Sequence, residues 1–511
     1  MRKLFWITSC LALILTSSCQ SPKQTEPLDI TELTISDIHR AYQEERFTSE
    51  QLVAAYLDRI NQFDTLINSI TTINPDARSI AKALDEEYKR TNQLRPLHGI
   101  PIIVKDNIQT IGLPTTAGAI ALQNFIPDTD AFIIDKLVKA GAIIIAKSNM
   151  AEWAFTPWSS VSSTHGATLN PYNLNHTPAG SSGGTGAAVA ANFGTIGLGT
   201  DTGNSIRGPS SHCSLVGFRT TLGLVSRSGI VPLFLRNDVV GPMCRTVEDA
   251  TRVLEIMVGY DSNDPITKYS ENKIPENYTQ FLQKDGLRGA RIGVLRELSE
   301  ADPDPEVKAL FEKAIMDMKA LGAVIIDTVV IPDFANLRKN QWCNQFKEDI
   351  ETYLPTHVKN DSVKTLADII RIGTKLKSVE EELNDALTKP GRYEESELEC
   401  LDAYTDPRRI AFRKAIEDEM DRLKLNAIIY PSWNSKPAKI TAYTEDYKGD
   451  NNQVISPHTG QPAFTVPMGF TEGNLPAGIQ FLGRLYDEST LVKLTYSYEQ
   501  GTKHRVPPIM K

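Results

Sequence analysis

The residues best suited to chemistry in this chain are serines placed on glycine-flanked turns. Gly180-Ser181-Ser182-Gly183-Gly184 carries two of them, and Gly203-Asn204-Ser205 a third. Glycine gathers where the backbone must come close to a neighbour or turn sharply, so these hydroxyls are expected on tight, accessible turns. Between the clusters, Thr185 to Ala191 is rich in alanine and reads as a buried helix, and Thr195 to Thr200 reads as a short strand. The implied unit is turn, helix, strand, turn, which would bring the second serine site back to the first.

Simpler readings of the same residues fail on particulars. A flexible Gly/Ser linker would not contain Ala187-Ala188-Val189-Ala190-Ala191 followed by another ordered glycine cluster. A phosphate-binding loop needs Gly-Lys-Ser/Thr, where Gly184-Thr185-Gly186 stands here. Gly180 to Gly184 matches the G-x-S-x-G elbow around Ser182, but Asn175-His176-Thr177-Pro178-Ala179 precedes it in place of the required strand. Ser270-Glu271-Asn272-Lys273 matches S-x-x-K without an S-D-N or K-T-G partner, and is read as accidental. His165, His176 and His212 lie near the glycine loops and are rival bases; no histidine has metal-ligand spacing, so no metal is expected.

The two clusters and the helix between them resemble the amidase signature family of serine hydrolases. The family pattern is a GSSGG loop, an alanine-rich helix and G-T-D-x-G-x-S-I-R, matched here by Gly180 to Gly184 and by Gly199-Thr200-Asp201-Thr202-Gly203-Asn204-Ser205-Ile206-Arg207. A lysine after an apolar strand is supplied by Ile100-Pro101-Ile102-Ile103-Val104-Lys105. Further similarity covers Ala140 to Ala142, Lys147 to Met150, Asn170 to Asn173, Gly460 to Ala463 and Leu475 to Gln480. The resemblance implies an α/β fold in one large domain, a central mixed β-sheet flanked by α-helices on both faces. It also implies hydrolysis of a carboxylic amide, with no cofactor.

An amide needs an activated nucleophile, a proton path to its leaving nitrogen and donors for the oxyanion. By position in the motif, Ser205 is the nucleophile, Ser181 the bridging serine after a cis Gly180-Ser181 bond, and Lys105 the base. Lysine can accept a proton near neutrality only when its pKa is lowered, and the apolar run before Lys105 makes a buried setting possible. The backbone N–H groups of Thr202, Gly203, Asn204 and Ser205 match the oxyanion hole, and Ser182, Asp201 and Arg207 match positions that hold the loops. Asn204 departs from the family glycine. Asparagine tolerates positive φ, so the turn is expected to survive, with added bulk and polarity beside the nucleophile.

The 511 residues are 41% hydrophobic, enough for a large core, and carry a net charge of −9, which disfavours nucleic acid as a partner. A small-molecule or peptide amide is the expected substrate. Met1-Arg2-Lys3, the apolar run Leu4 to Leu15 and Thr16-Ser17-Ser18-Cys19 read as a signal peptide over 1–18. The ending resembles a lipoprotein signal with Cys19 lipidated, followed by a polar tether over 19–30 and the main domain over 31–511. This points to the cell envelope, periplasmic or outer-membrane-attached, with membrane contact only through the lipid. Cys213, Cys244, Cys343 and Cys400 are scattered, and no pairing can be inferred from their spacing.

Two further readings stay open at this level: a catalytically silent binding protein on the same fold, and a component like that of the glutamyl-tRNA amidotransferase. Elements elsewhere are expected to scaffold. Helices are read over Ile35 to Gln43, Ser49 to Phe63 behind a Thr48/Gln51 capping box, from Pro75 at a first helical position, and over Asp130 to Lys139. Strands are read over Ile100 to Val104, Ala142 to Ala146, Arg291 to Leu295, Ala323 to Val330, Asn426 to Tyr430 and Ala463 to Pro467. Helices over Thr246 to Met257, Pro305 to Leu321 and Glu488 to Glu499 complete the frame. The charged, helix-prone stretch from 331 to 425 is the variable region expected to shape the substrate pocket.

Overall fold

The computed structural model describes residues 28–389 and 400–510. The expected signal peptide, most of the expected tether and Cys19 lie outside the described residues. The apolar runs fold into one mixed sheet of eleven strands. Its order is 70–73, 143–148, 101–105, 196–201, 239–244, 216–219, 463–471, 475–482, 427–431, 291–294 and 324–327. The strands 143–148, 101–105 and 196–201 run parallel, as do 427–431, 291–294 and 324–327, and antiparallel pairs join the two groups. Strands buried along their whole length, such as Pro101–Lys105 and Ile196–Asp201, have helices over them, which is why their sequences are runs and not alternations.

The helices begin where local chemistry says they should. Thr48 and Gln51 exchange hydrogen bonds across the first turn of Ser49–Ile67, a capping box that satisfies two otherwise orphaned donors. Thr246 caps Val247–Met257 in the same sense, accepting from the Asp249 amide. The expected start at Pro75 is corrected: the helix is Ala77–Thr91, because the Asn74 side chain accepts from the Asp76 amide at 3.0 Å and holds Pro75 in a turn. Ser270 is buried, bonded to the Thr267 carbonyl, while Lys273 lies over the Tyr486 ring, so the S-x-x-K match has no chemical role.

The described residues between 331 and 425 are largely helical, and some of them form a satellite core. Phe346, Ile350, Leu354, Leu366, Ile369 and Leu383 pack against Met150 and Trp153 of the main domain. Cys343 and Cys400 form a disulfide with Cα atoms 6.1 Å apart, a separation usual for such bonds. Their distance in sequence gave no hint of it. Cys213 and Cys244 are free and buried.

Candidate active site

Two neighbouring parallel strands end side by side and deliver the lysine. Pro101–Lys105 pairs with Ile196–Asp201 through Ile102 opposite Ile196 and Val104 opposite Leu198. Lys105 and Thr200 therefore emerge together at the carboxyl ends of adjacent strands, where ligands of open α/β sheets bind. The Lys105 side chain is wholly buried, and its Nζ donates to Ser181 Oγ at 2.7 Å and to Thr200 Oγ1 at 2.7 Å. Burial drives its pKa from the ordinary lysine range down to about 7, the more distant charges of Asp201 and Asp238 opposing only part of that. Near neutrality a large fraction of Lys105 is thus a free amine able to take a proton.

The glycines of the first turn serve close approach. A Cβ on Gly180 would lie 2.2 Å from the Ser159 carbonyl oxygen, and one on Gly184 would lie 2.1 Å from that of Asn149. With nothing in the way, the turn seats Ser181 against Lys105, and the Gly180–Ser181 peptide bond is cis. The helix Gly183–Ala190 follows directly, and the strand 196–201 returns the chain so that the Ser182 amide donates to the Ser205 carbonyl at 3.3 Å. Ser182 Oγ donates to the Thr200 carbonyl at 3.1 Å. That backbone contact sets the two serine-bearing turns side by side.

The second turn is held from behind by charge. Asp201 is fully buried between Arg207 Nε at 3.1 Å and Arg219 Nη1 at 2.8 Å, and it also accepts from the Ile206 amide. Burial pushes its carboxyl upward, but the two guanidinium groups and these hydrogen bonds outweigh that and hold it at about 2. Arg207 further donates to the Gly203 carbonyl at 2.6 Å and to Gln480 Oε1 at 2.8 Å. The backbone N–H groups of Thr202, Gly203, Asn204 and Ser205 donate to no other described residue. A buried turn with successive free donors beside a serine hydroxyl is what a developing oxyanion requires.

Asn204 does not behave as expected from its tolerance of positive φ. Neither it nor Gly203 lies in the left-handed region, so the turn makes no conformational demand for glycine there. The Asn204 side chain is instead accommodated: Nδ2 donates to the Pro157 carbonyl at 3.3 Å, and Oδ1 accepts from Ser205 Oγ at 3.4 Å. The Ser205 hydroxyl thus faces Asn204, while Ser181 Oγ is already engaged by Lys105. Among the described residues no side-chain hydrogen bond joins Ser205 to Ser181. Catalytic hydrogen bonds often tighten only with substrate in place.

No histidine serves the serines. His212 is buried and stacks on Trp433 at 4.6 Å, burial lowering its pKa to about 3, and neither it, His165 nor His176 bonds Ser181 or Ser205. Sequence reasoning missed four contributors. Thr200 and Asn107, the latter 3.1 Å from Thr200 Oγ1, lie inside or beside the motifs but carried no assigned role. Arg219 and Asp238 left only the signal of charged residues beside apolar runs. Asp238 accepts from Thr202 Oγ1 at 2.5 Å and so fixes the start of the second turn.

The chain is similar to known proteins over most of its length. A family model described as Amidase matches residues 51–492. The "probable amidase" of Arabidopsis thaliana is 33% identical, the match covering 97% of this chain and 95% of the relative. A glutamyl-tRNA(Gln) amidotransferase subunit from Caldanaerobacter subterraneus subsp. tengcongensis is 31% identical, with 94% of this chain and 99% of the relative covered. The crystal structure of native peptide amidase from Stenotrophomonas maltophilia superposes with a TM-score of 0.81 at 33% identity, covering 94% of this chain and 99% of that one.

Proposed function

Because the chain belongs to the amidase signature family, and so is an enzyme hydrolysing amide C–N bonds, we propose that its nucleophile is Ser205, served by Ser181 and Lys105. In the first half-reaction Ser205 Oγ attacks the amide carbon, and its proton passes through Ser181 to the Lys105 amine. The carbonyl oxygen takes up negative charge against the amides of Thr202 to Ser205. Collapse breaks the C–N bond, with the proton returning by the same path to the leaving nitrogen, and leaves an acyl ester on Ser205. Water then attacks the ester carbon and gives its proton to the relay; collapse breaks the ester C–O bond, the relay returns that proton to Ser205 Oγ, and the carboxylate leaves.

The observation that carries this reading is the 2.7 Å contact between the Lys105 amine, with no exposure to solvent, and Ser181 Oγ. A silent binding protein would have no use for a lysine whose burial costs so much. Hydrolysis with water as the acceptor is favoured over a role inside a multisubunit transferase by the Cys343–Cys400 disulfide, since such bonds persist in oxidising compartments. The same bond favours action outside the cytoplasm, the location that the expected signal peptide over 1–18 would give. A fluorophosphonate should label Ser205 covalently and abolish turnover of a simple primary amide. Labelling elsewhere, or full turnover by Ser205→Ala, would refute the assignment.

A further inference from the structure

The outer face of the second turn is covered by a residue the mechanism does not use. A Cβ placed on Gly203 would stand 2.9 Å from Gln453 Oε1 and 3.0 Å from Trp342 Cη2, so the indole rests, beside the Gln453 side chain, on the turn proposed to carry the oxyanion donors. Trp342 meets His458 edge to face at 4.6 Å, yet 42% of its surface stays open. An indole that rests on the reacting turn and keeps this much of its surface open offers a contact to a planar apolar group.

Its position is fixed from both flanks. On one side, the Arg236 guanidinium donates to the Gln341 carbonyl at 3.0 Å and to the Leu401 carbonyl at 2.8 Å. On the other, Cys343 is bonded to Cys400, and Gln345 Nε2 donates to the Cys400 carbonyl at 3.0 Å. Two crosslinks between the same pair of segments bracket a single tryptophan, which is more restraint than an exposed loop needs for its own sake. The leaving nitrogen must face Ser181 and Lys105, where the proton is returned. Trp342 touches Gly203 and His458 instead, which leaves the acyl portion of the substrate as the group that reaches it.

We infer that Trp342, braced by the Cys343–Cys400 disulfide and Arg236, is a specificity-determining wall that selects amides whose acyl group carries a large planar apolar substituent. The inference rests on Ser205 as nucleophile. It assigns the variable region one contact at the reacting centre: burying an aromatic ring against the indole favours its capture and holds the carbonyl under the oxyanion donors.

The test compares kcat/KM for N-acetylphenylalanine amide and N-acetylalanine amide. Trp342→Ala should lower the phenylalanine-to-alanine ratio about tenfold, chiefly through KM. Trp342→Phe should recover most of it, and the Cys343→Ser/Cys400→Ser variant should shift it in the same direction as Trp342→Ala. Equal loss on both amides, or an unmoved ratio, in Trp342→Ala overturns the wall, provided fluorophosphonate labelling shows Ser205 intact. An unmoved ratio in the cysteine variant overturns the brace. Turnover of either amide by wild type, and its loss in Ser205→Ala, tests the nucleophile assignment separately.

Discussion

Lys105 and Ser181, 76 residues apart in the chain, meet through a 2.7 Å hydrogen bond from Nζ to Oγ inside the protein. Buried from solvent, the amine bonds among the described residues only the hydroxyls of Ser181 and Thr200 and, at 3.4 Å, the Thr200 carbonyl, with no carboxylate in hydrogen-bonding contact. A neutral amine is comfortable in such a setting and an ammonium is not. That asymmetry suits the residue to the role of base proposed for it.

The acid limb of the kcat/KM profile should accordingly lie near pH 7. Lys105 is protonated below its lowered pKa of about 7 and cannot accept a proton, so kcat/KM should fall about tenfold per unit as pH drops beneath that point. A profile flat down to pH 5 would show that another group is the base.

Ser181→Ala and Lys105→Ala should each lose at least about a thousandfold in kcat, and the double variant little more, because members of one proton relay act as a unit. Steady-state rates on one primary amide are sufficient. Losses that multiply would separate the two residues.

Asp201→Asn should be costly for stability, since it strips the charge partner from the buried Arg207 and Arg219; about 3–5 kcal/mol is expected from denaturant midpoints. The Asp201 pKa is depressed from its unfolded value. Its contribution is therefore complete above about pH 4 and is lost as pH falls through about 2, so wild type and variant should converge in stability at low pH.

Asn204→Gly should free the Ser205 hydroxyl from its contact with Oδ1 and remove bulk beside it. We expect kcat/KM for amides with α-branched acyl groups to rise by about three- to tenfold relative to unbranched ones. An unchanged ratio would mean that the side chain faces away from bound substrate.

Replacing Cys343 and Cys400 by serine should cost about 2–4 kcal/mol, since their bond closes a loop around most of the satellite helical core. Thermal melts with and without reductant should show that wild type moves toward the variant while the variant does not respond.

The order Lys105, Gly-Ser-Ser-Gly-Gly, alanine-rich helix, strand, Ser205 was legible in the chain because each step is set locally. Glycines mark where the backbone must approach a neighbour, alanine marks a helix packed tightly on a sheet, and a short apolar run marks a strand buried on both faces. Capping at Thr48 and Thr246 was legible for the same reason. What the chain could not disclose depends on contacts between distant segments. Nothing near Thr200 in sequence says that its hydroxyl shares the Lys105 amine, nor does anything near Arg219 say that it completes the cage of Asp201. The pairing of Cys343 with Cys400 and the seat of Trp342 on Gly203 were likewise decided only by packing. Side chains compete for one buried volume in three dimensions, and that competition has no local signature.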